Sequence, residues 1–337
     1  MIKVGIIGFG GIAQSAHLKP HLELEAKGIT KLVSVCDVCP ERFEKNVDIN
    51  IGESLVSLGS DVKKYSDWRM MLEKEDIDMV DICVPTFLHE EITIGALETG
   101  HHVLCEKPMS LNYEACQKMC ETAKRMGKKL MIGHSFRFDP KLSYLKKLVD
   151  DGTFGKVKSA VFKRLSPPPV WGWDNWFMDN KRSGGCILDL HIHDVDAIRY
   201  IMGEPTSASC CTQDVYSKRD IAHTRLMYDD FSILATCDWT RQGIPFEWEF
   251  SVALEKATVV GNCDGVSVYK RNEEKISAVI DNKKSHQREI EYFIDCLVRN
   301  KENIMPTPED SALSVKLINT LIESSDKNGE FVEFVTE

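Results

Sequence analysis

The stretch Gly8-Phe9-Gly10-Gly11-Ile12-Ala13 limits what this chain can fold into more than any other part of it. It follows the apolar run IKVGII and leads into residues of helical spacing. A strand, a glycine turn and a helix in that order fit the pattern G-x-G-x-x-A of a dinucleotide-binding βαβ unit. The first glycine permits the tight turn. The second lets backbone approach a pyrophosphate, and the third small residue lets strand and helix pack closely. The helix N-terminus adds free N–H groups and the positive end of a dipole. Asp37, at the end of the next apolar run, lies twenty-four residues beyond Ala13 (37 − 13). A carboxylate at that spacing accepts hydrogen bonds from both ribose hydroxyls and repels a 2′-phosphate. The expected cofactor is therefore NAD in preference to NADP, with Arg42 the nearest residue able to soften the choice. The plain alternative is a glycine turn with a solvated aspartate.

At 337 residues the chain exceeds one ordinary core, so two domains are expected. Its formal net charge of −10 argues against a nucleic-acid partner, and no basic run opposes that. No apolar run approaches the roughly 20 residues of a membrane span. MIKVGIIGFGG lacks the layout of a signal peptide, so the expected location is the cytoplasm. Most of the twelve cysteines lie in apolar strands or helices, where a reduced thiol acts as a small hydrophobe. Cys36 and Cys39 bracket Asp37, and Cys116 and Cys120 are four apart on a predicted helix. Neither a structural metal nor a disulfide framework is expected.

The runs IKVGIIG, KLVSVCD, MVDICVP, HVLCEKP and LMIGH alternate with helical stretches such as EEITIGALETG and YEACQKMCETAKRMG. That alternation predicts an α/β Rossmann domain, a doubly wound parallel sheet, over residues 1–130. Farther on, KVKSAVFKRL, DFSILATCDW, FEWEFSVAL and GVSVYK alternate apolar and polar residues at strand period. Residues 131–337 are read as a second α/β domain with a sheet that has one wet face, closed by two C-terminal helices. Ligands of a doubly wound sheet lie beyond the carboxyl ends of its strands. Pro85, Thr86, His89, Glu106 and Lys107 are thus expected at the cofactor's edge. There a lysine can polarise a carbonyl, or it can merely pair with Glu106 at the sheet edge.

The motifs together resemble the glucose–fructose oxidoreductase, inositol dehydrogenase and rhizopine catabolism (Gfo/Idh/MocA) family. The likeness runs through GIIGFGGIA, CD at Asp37, Pro85 with His89, ALETGHHVLCEKP, GHSFRFDP and SGGCILDLHIHDVDAIRYIMG. It implies a large, open, mostly antiparallel C-terminal sheet commonly used for oligomerisation, hence a homodimer or homotetramer. It also implies NAD(P)-dependent oxidation or reduction of sugars, polyols and their relatives. By position, Lys107, Asp189 and His193 match the family's catalytic set, and Arg137 falls in a segment that borders substrate in many members.

If 187–202 is one helix, Asp189 and His193 are i and i+4 and share a face. His191 then lies about 200° around from His193 and cannot join them, which argues against a metal pair. A histidine with a pKa of about 6.5 suits the general base. Asp194 and Asp196 are expected to cap, to pair with Arg199 or to face water. In VWGWDNWFMDNK, Trp173 and Trp176 offer faces suited to sugar C–H groups, with core packing the equal alternative. The expected reaction is oxidation of a secondary alcohol, or reduction of its ketone, on a sugar, glycoside or inositol. Redox-neutral glycoside cleavage or epimerisation with tightly held NAD is the alternative. A non-catalytic NAD or sugar sensor is a third reading.

Overall fold

The apolar runs of the N-terminal third become parallel strands, because helices on both faces keep them dry. The protein is described here by a computed structural model covering residues 1–47, 58–301 and 305–336. In its first sheet, β1 (Ile2–Ile7), β2 (Thr30–Cys36), β3 (Lys63–Tyr65), β4 (Met79–Ile82), β5 (His102–Glu106) and β6 (Leu130–Gly133) are ordered β3-β2-β1-β4-β5-β6. Every pairing is parallel. This is the doubly wound order expected. The strand β3 escapes the apolar pattern because its three residues form an exposed edge.

Helices Leu18–Ala26, Trp68–Lys74, His89–Glu98 and Tyr113–Met126 connect these strands. The last shows why the local sequence folds as it does. The Asn112 side chain accepts the Ala115 N–H at 2.9 Å, and Gly127 ends the helix in the left-handed region. Its buried stripe is Ala115, Cys116, Met119, Cys120 and Ala123, so that cysteine pair packs in the core. Before Leu18 the ladder widens to a π-turn over Ala13–His17. Pro20, lacking an N–H, cannot bond the Ala16 carbonyl, and the wider turn carries His17 into the interior.

The second sheet holds β7 (Val157–Leu165), β8 (Ser207–Gln213), β9 (Ile221–Met227), β10 (Ser232–Asp238), β11 (Glu247–Leu254), β12 (Thr258–Asn262), β13 (Val266–Tyr269), β14 (Ile276–Ser277) and β15 (Val332–Glu333). Their order is β14-β13-β12-β11-β7-β10-β9-β8-β15, antiparallel throughout except for β7 beside β10. Burial alternates along β9 and β11, as a sheet with one covered face requires. Among the described residues, no helix is long and apolar enough to cross a membrane.

The chain forms two compact units, residues 1–135 with 284–312, and residues 136–283 with 313–337. A single boundary near residue 130 therefore does not describe the division. Helix Ser285–Val298, expected to close the second domain, belongs to the first. Its stripe of Ile290, Phe293, Ile294 and Cys296 is buried, and it packs on the helix after β1 and on β1 and β6.

Candidate active site

The chain leaves β1 through a turn that only glycine allows. Gly8 has φ +89°, and a Cβ there would lie 2.7 Å from the Cys83 carbonyl at the end of β4. Gly10 differs. The nearest atom to a Cβ at that position is Arg42 Nη1, at the ordinary contact distance of 3.7 Å, so a methyl group there would meet no clash. The Gln14 N–H bonds the Gly10 carbonyl at 3.1 Å, which places Gly11 and Ile12 in the first helical turn. Ala13 is fully buried, and Phe9 tilts against Phe43.

Asp37 ties the turn to the end of β2. One carboxylate oxygen accepts the Phe9 N–H at 2.8 Å, and the other accepts the Cys39 N–H at 2.8 Å. The Arg42 guanidinium pairs with the same carboxylate at 2.9 Å, which neutralises the cation expected to favour a 2′-phosphate. A glycine-made approach at Gly8, an uncrowded Gly10, a helix start and a held carboxylate together fit a dinucleotide.

The residues expected at the cofactor's edge follow β4 and β5. Pro85 leads into a short turn, Thr86–Leu88, with Thr86 buried. His89 is also buried, and its ring nitrogens lie 2.7 Å from the Pro108 carbonyl and 2.9 Å from that of Val84. Burial holds its pKa below the ordinary value, against the pull of the two carbonyls. His89 thus lies between the ends of β4 and β5, and its neutral ring has one N–H to donate to one of these carbonyls. Glu106 gives one oxygen to His17 Nε2 at 2.9 Å and the other to the Lys107 N–H at 3.1 Å.

His17 opens a buried chain that pattern reading missed. Its Nδ1 lies 2.8 Å from an Asp81 oxygen, which His21 Nε2 also reaches at 2.8 Å. Burial opposes charge on His17, yet Asp81 raises its pKa well above the usual histidine value. Burial likewise opposes charge on Glu106, but His17 holds its carboxyl below the usual range. His286, whose Nε2 is 4.0 Å from Glu106, is pushed by burial down to about 4. The atoms of His17, Glu106 and His286 lie within 4.8 Å of one another, as do those of His17, Asp81 and Cys83. The one sequence signal was a histidine four residues beyond Ala13. No periodicity marks its partners, which come from four separate segments.

In the second unit, the expected helix over 187–202 is two helices, Cys186–Asp189 and Ile192–Met202. The N–H groups of Leu190 and His191 both bond the Cys186 carbonyl, and the next bonds run only three residues back. The break follows the burial of His191, whose Nε2 is 3.0 Å from Thr224 Oγ1 on β9. Asp189, which is buried, therefore ends one helix, and the half-buried His193 begins the next. The His193 ring meets Phe136 edge-on, with centroids 5.1 Å apart.

The remaining aspartates, Asp194 and Asp196, are buried and do not face water. Asp194 takes a bidentate bond from Arg164 at 2.8 and 2.9 Å, and Asp196 takes one from Arg137 at 2.7 and 2.8 Å. Arg199 turns to Glu204 and Ser314. The Arg137 guanidinium, expected beside substrate, is thus buried against the helix that carries His193. Removing one partner of such a pair strands a buried charge and costs about 3–5 kcal/mol. In the tryptophan loop, Trp176 stacks on Phe177 with centroids 3.9 Å apart, as packing would have it, while Trp173 is exposed near Arg182.

A Rossmann unit with a built dinucleotide turn, followed by a large mixed sheet, defines a two-domain nucleotide-binding architecture. Residues 2–134 match the family described as oxidoreductase family, NAD-binding Rossmann fold, and residues 142–260 match the GFO/IDH/MocA C-terminal domain. The chain belongs to the Gfo/Idh/MocA family. It is 30% identical over 208 residues to D-glucoside 3-dehydrogenase of Escherichia coli, covering 62% of this chain and 56% of that protein. It is 34% identical over 206 residues to myo-inositol 2-dehydrogenase of Thermotoga maritima, covering 60% and 55%. The matched segment thus spans a little over half of these curated relatives. A structure of levoglucosan dehydrogenase in complex with NADH and levoglucosan superposes with a TM-score of 0.84 over 99% of both chains. At 19% identity that likeness speaks to the fold.

The two glycines should separate on substitution. Gly8→Ala forces a left-handed alanine against β4 and should cost about 1–3 kcal/mol in urea unfolding. Gly10→Ala should keep stability but weaken NAD binding about tenfold or more in a fluorescence titration. Equal stability of Gly8→Ala and wild type would refute the close approach, and unchanged affinity of Gly10→Ala would refute the phosphate site.

Proposed function

We propose that this chain is an NAD-dependent dehydrogenase that oxidises a secondary alcohol of a sugar, glycoside or inositol, or reduces the corresponding ketone. The observation that carries this reading is the Asp37 carboxylate, held between the Phe9 N–H of the glycine turn and Arg42. It favours NAD over NADP, because Asp37 already neutralises the guanidinium that a 2′-phosphate would need. The substrate class rests on the relatives named for a glucoside and for myo-inositol, together with the family's motif positions.

Bound at this turn, NAD supplies the two-electron acceptor for the hydrogen carried on the substrate carbon. The chain's own residues handle the proton and the charge. His193 takes the hydroxyl proton, Asp189 orients that hydroxyl and steadies the imidazolium, and Lys107 stabilises negative charge developing on oxygen. His193 suits the role because its helix is pinned by two buried bidentate pairs, through Asp194 and Asp196, and its ring rests on Phe136. A base held so firmly loses little free energy to reorientation during proton transfer. The free thiols of the twelve cysteines suit a reducing compartment such as the cytoplasm.

The same reading includes a homo-oligomer built through the open face of the second sheet. Val161 on β7 and Leu234 on β10 are direct neighbours across the parallel pair, and both are about half exposed, at 48% and 52%. Adjacent apolar side chains in mid-sheet are what a partner would cover.

A screen of sugars, glycosides and inositols with NAD and NADP, read as reduced-cofactor absorbance, should find turnover with NAD. Lys107→Ala and His193→Ala should lower kcat by about 100-fold or more while keeping NAD affinity. Near-native turnover in either variant removes that residue from the mechanism. Nucleotide retained through purification with no net NADH would instead indicate redox-neutral chemistry. For the assembly, Leu234→Lys should move the protein to monomer mass in light scattering. An unchanged oligomer in that variant would place the interface elsewhere.

A further inference from the structure

The buried chain behind β5 is placed to act on the proposed lysine without touching substrate. Glu106 is the last residue of β5, pairing in register with Gly133 of β6. Lys107 therefore lies one residue past the ladder, where sheet hydrogen bonds no longer set its direction. The Glu106 carboxylate takes over that task by accepting the Lys107 N–H at 3.1 Å. A carboxylate is planar, so fixing one oxygen fixes the other. The other oxygen is held by His17 Nε2 at 2.9 Å. The missing side chain of Gly133 leaves room for it, since a Cβ there would lie 3.3 Å from Glu106 Oε1.

His17 is itself oriented. Asp81, in β4, meets His17 Nδ1 at 2.8 Å through the same oxygen that His21 Nε2 reaches at 2.8 Å. With carboxylates on both ring nitrogens, the imidazole carries two N–H groups and one positive charge between two buried anions. The proton on Nε2 occupies the line that a metal ion bridging His17 and Glu106 would need. The chain His21–Asp81–His17–Glu106 thus runs from the helix after the glycine turn, across β4, to the peptide that presents Lys107.

We propose that His17 is a positioning residue for Lys107, acting through Glu106, and that it needs no metal to do so. This rests on the reading of Lys107 as part of the reacting set. Its substrate-independent signature is the hydrogen bond at the Lys107 amide.

Two amide substitutions divide the two ends of the imidazole. His17→Gln puts a donor near the place of Nε2, so it keeps the bond to Glu106 and loses Asp81. His17→Asn puts a donor near the place of Nδ1, so it keeps Asp81 and loses Glu106. Each full-length variant is tested for NAD affinity, kcat and KM on the substrate found in the screen, and hydrogen exchange at the Lys107 amide. The Asn variant should lose kcat on the order of 10- to 100-fold, with NAD affinity unchanged and faster exchange at Lys107. The Gln variant should stay within about threefold of wild type in kcat and keep the amide protected. The reverse ranking, or equal kcat with unchanged exchange in both, overturns the proposal. So does stoichiometric zinc in the purified protein whose removal reproduces the loss seen in the Asn variant. If both His17 variants misfold, Glu106→Gln carries the test, since an amide can serve only one of the two partners as acceptor. That variant should lower kcat and expose the Lys107 amide, and wild-type values for both overturn the proposal. Near-native turnover in Lys107→Ala would remove Lys107 from the mechanism instead, while leaving the amide-exchange result to judge the positioning chain.

Discussion

The close approach of β1 and β4 at Gly8 sets the conditions for the whole nucleotide end of the molecule. A single Cβ does not fit against the Cys83 carbonyl, so the chain must turn there with glycine in a left-handed conformation. That turn aims the Phe9 N–H at Asp37, and the same carboxylate gathers the Cys39 N–H and Arg42. One steric constraint therefore leads to the held Asp37 carboxylate and the arginine paired with it. The π-turn that follows, imposed beside Pro20, carries His17 inward to meet Asp81 and Glu106. The nucleotide turn and the lysine peptide are thus coupled through the interior of one sheet.

The second unit uses buried charge to hold its candidate base. Two bidentate arginine–aspartate pairs lie within the first turns of the helix that begins with Ile192 and His193. Buried pairs of this kind are poor sources of net stability, because desolvation offsets most of the attraction. Their geometry is strict, however, and breaking one is costly. They fix the helix in rotation and register, which is what a proton acceptor requires. His191 contributes to the same end. Burial opposes its charge, yet Asp194 and Cys237 raise its pKa to about 9, and its ring is anchored on Thr224.

The parts of this fold legible in the sequence are those written as periodicity. The five apolar runs became β1, β2, β4, β5 and β6, and the alternating segments became strands of the second sheet. The glycine turn was legible because each of its positions has a steric reason. What stayed hidden depends on contacts between distant segments. Helical spacing predicts one helix over 187–202, but the helix breaks where His191 is buried against Thr224, which lies thirty-three residues away. Arg137 reads as a substrate residue by position, yet Asp196 takes its guanidinium into the core. His89 reads as a cofactor neighbour, and its buried ring lies beside the backbone carbonyls of Pro108 and Val84. Helix Ser285–Val298 has an apolar stripe, and nothing in that stripe says which unit will bury it.

Direct transfer of hydrogen from substrate carbon to the nicotinamide ring is the step on which the functional reading stands. It is measured by incubating the protein and NAD with sugars, glycosides and inositols deuterated at carbon, then analysing the reduced nucleotide by mass spectrometry. Hydride transfer predicts one deuterium on the nicotinamide of NADH for each molecule of substrate oxidised. Reduced nucleotide without deuterium, or substrate turnover that never labels the nucleotide, would contradict it.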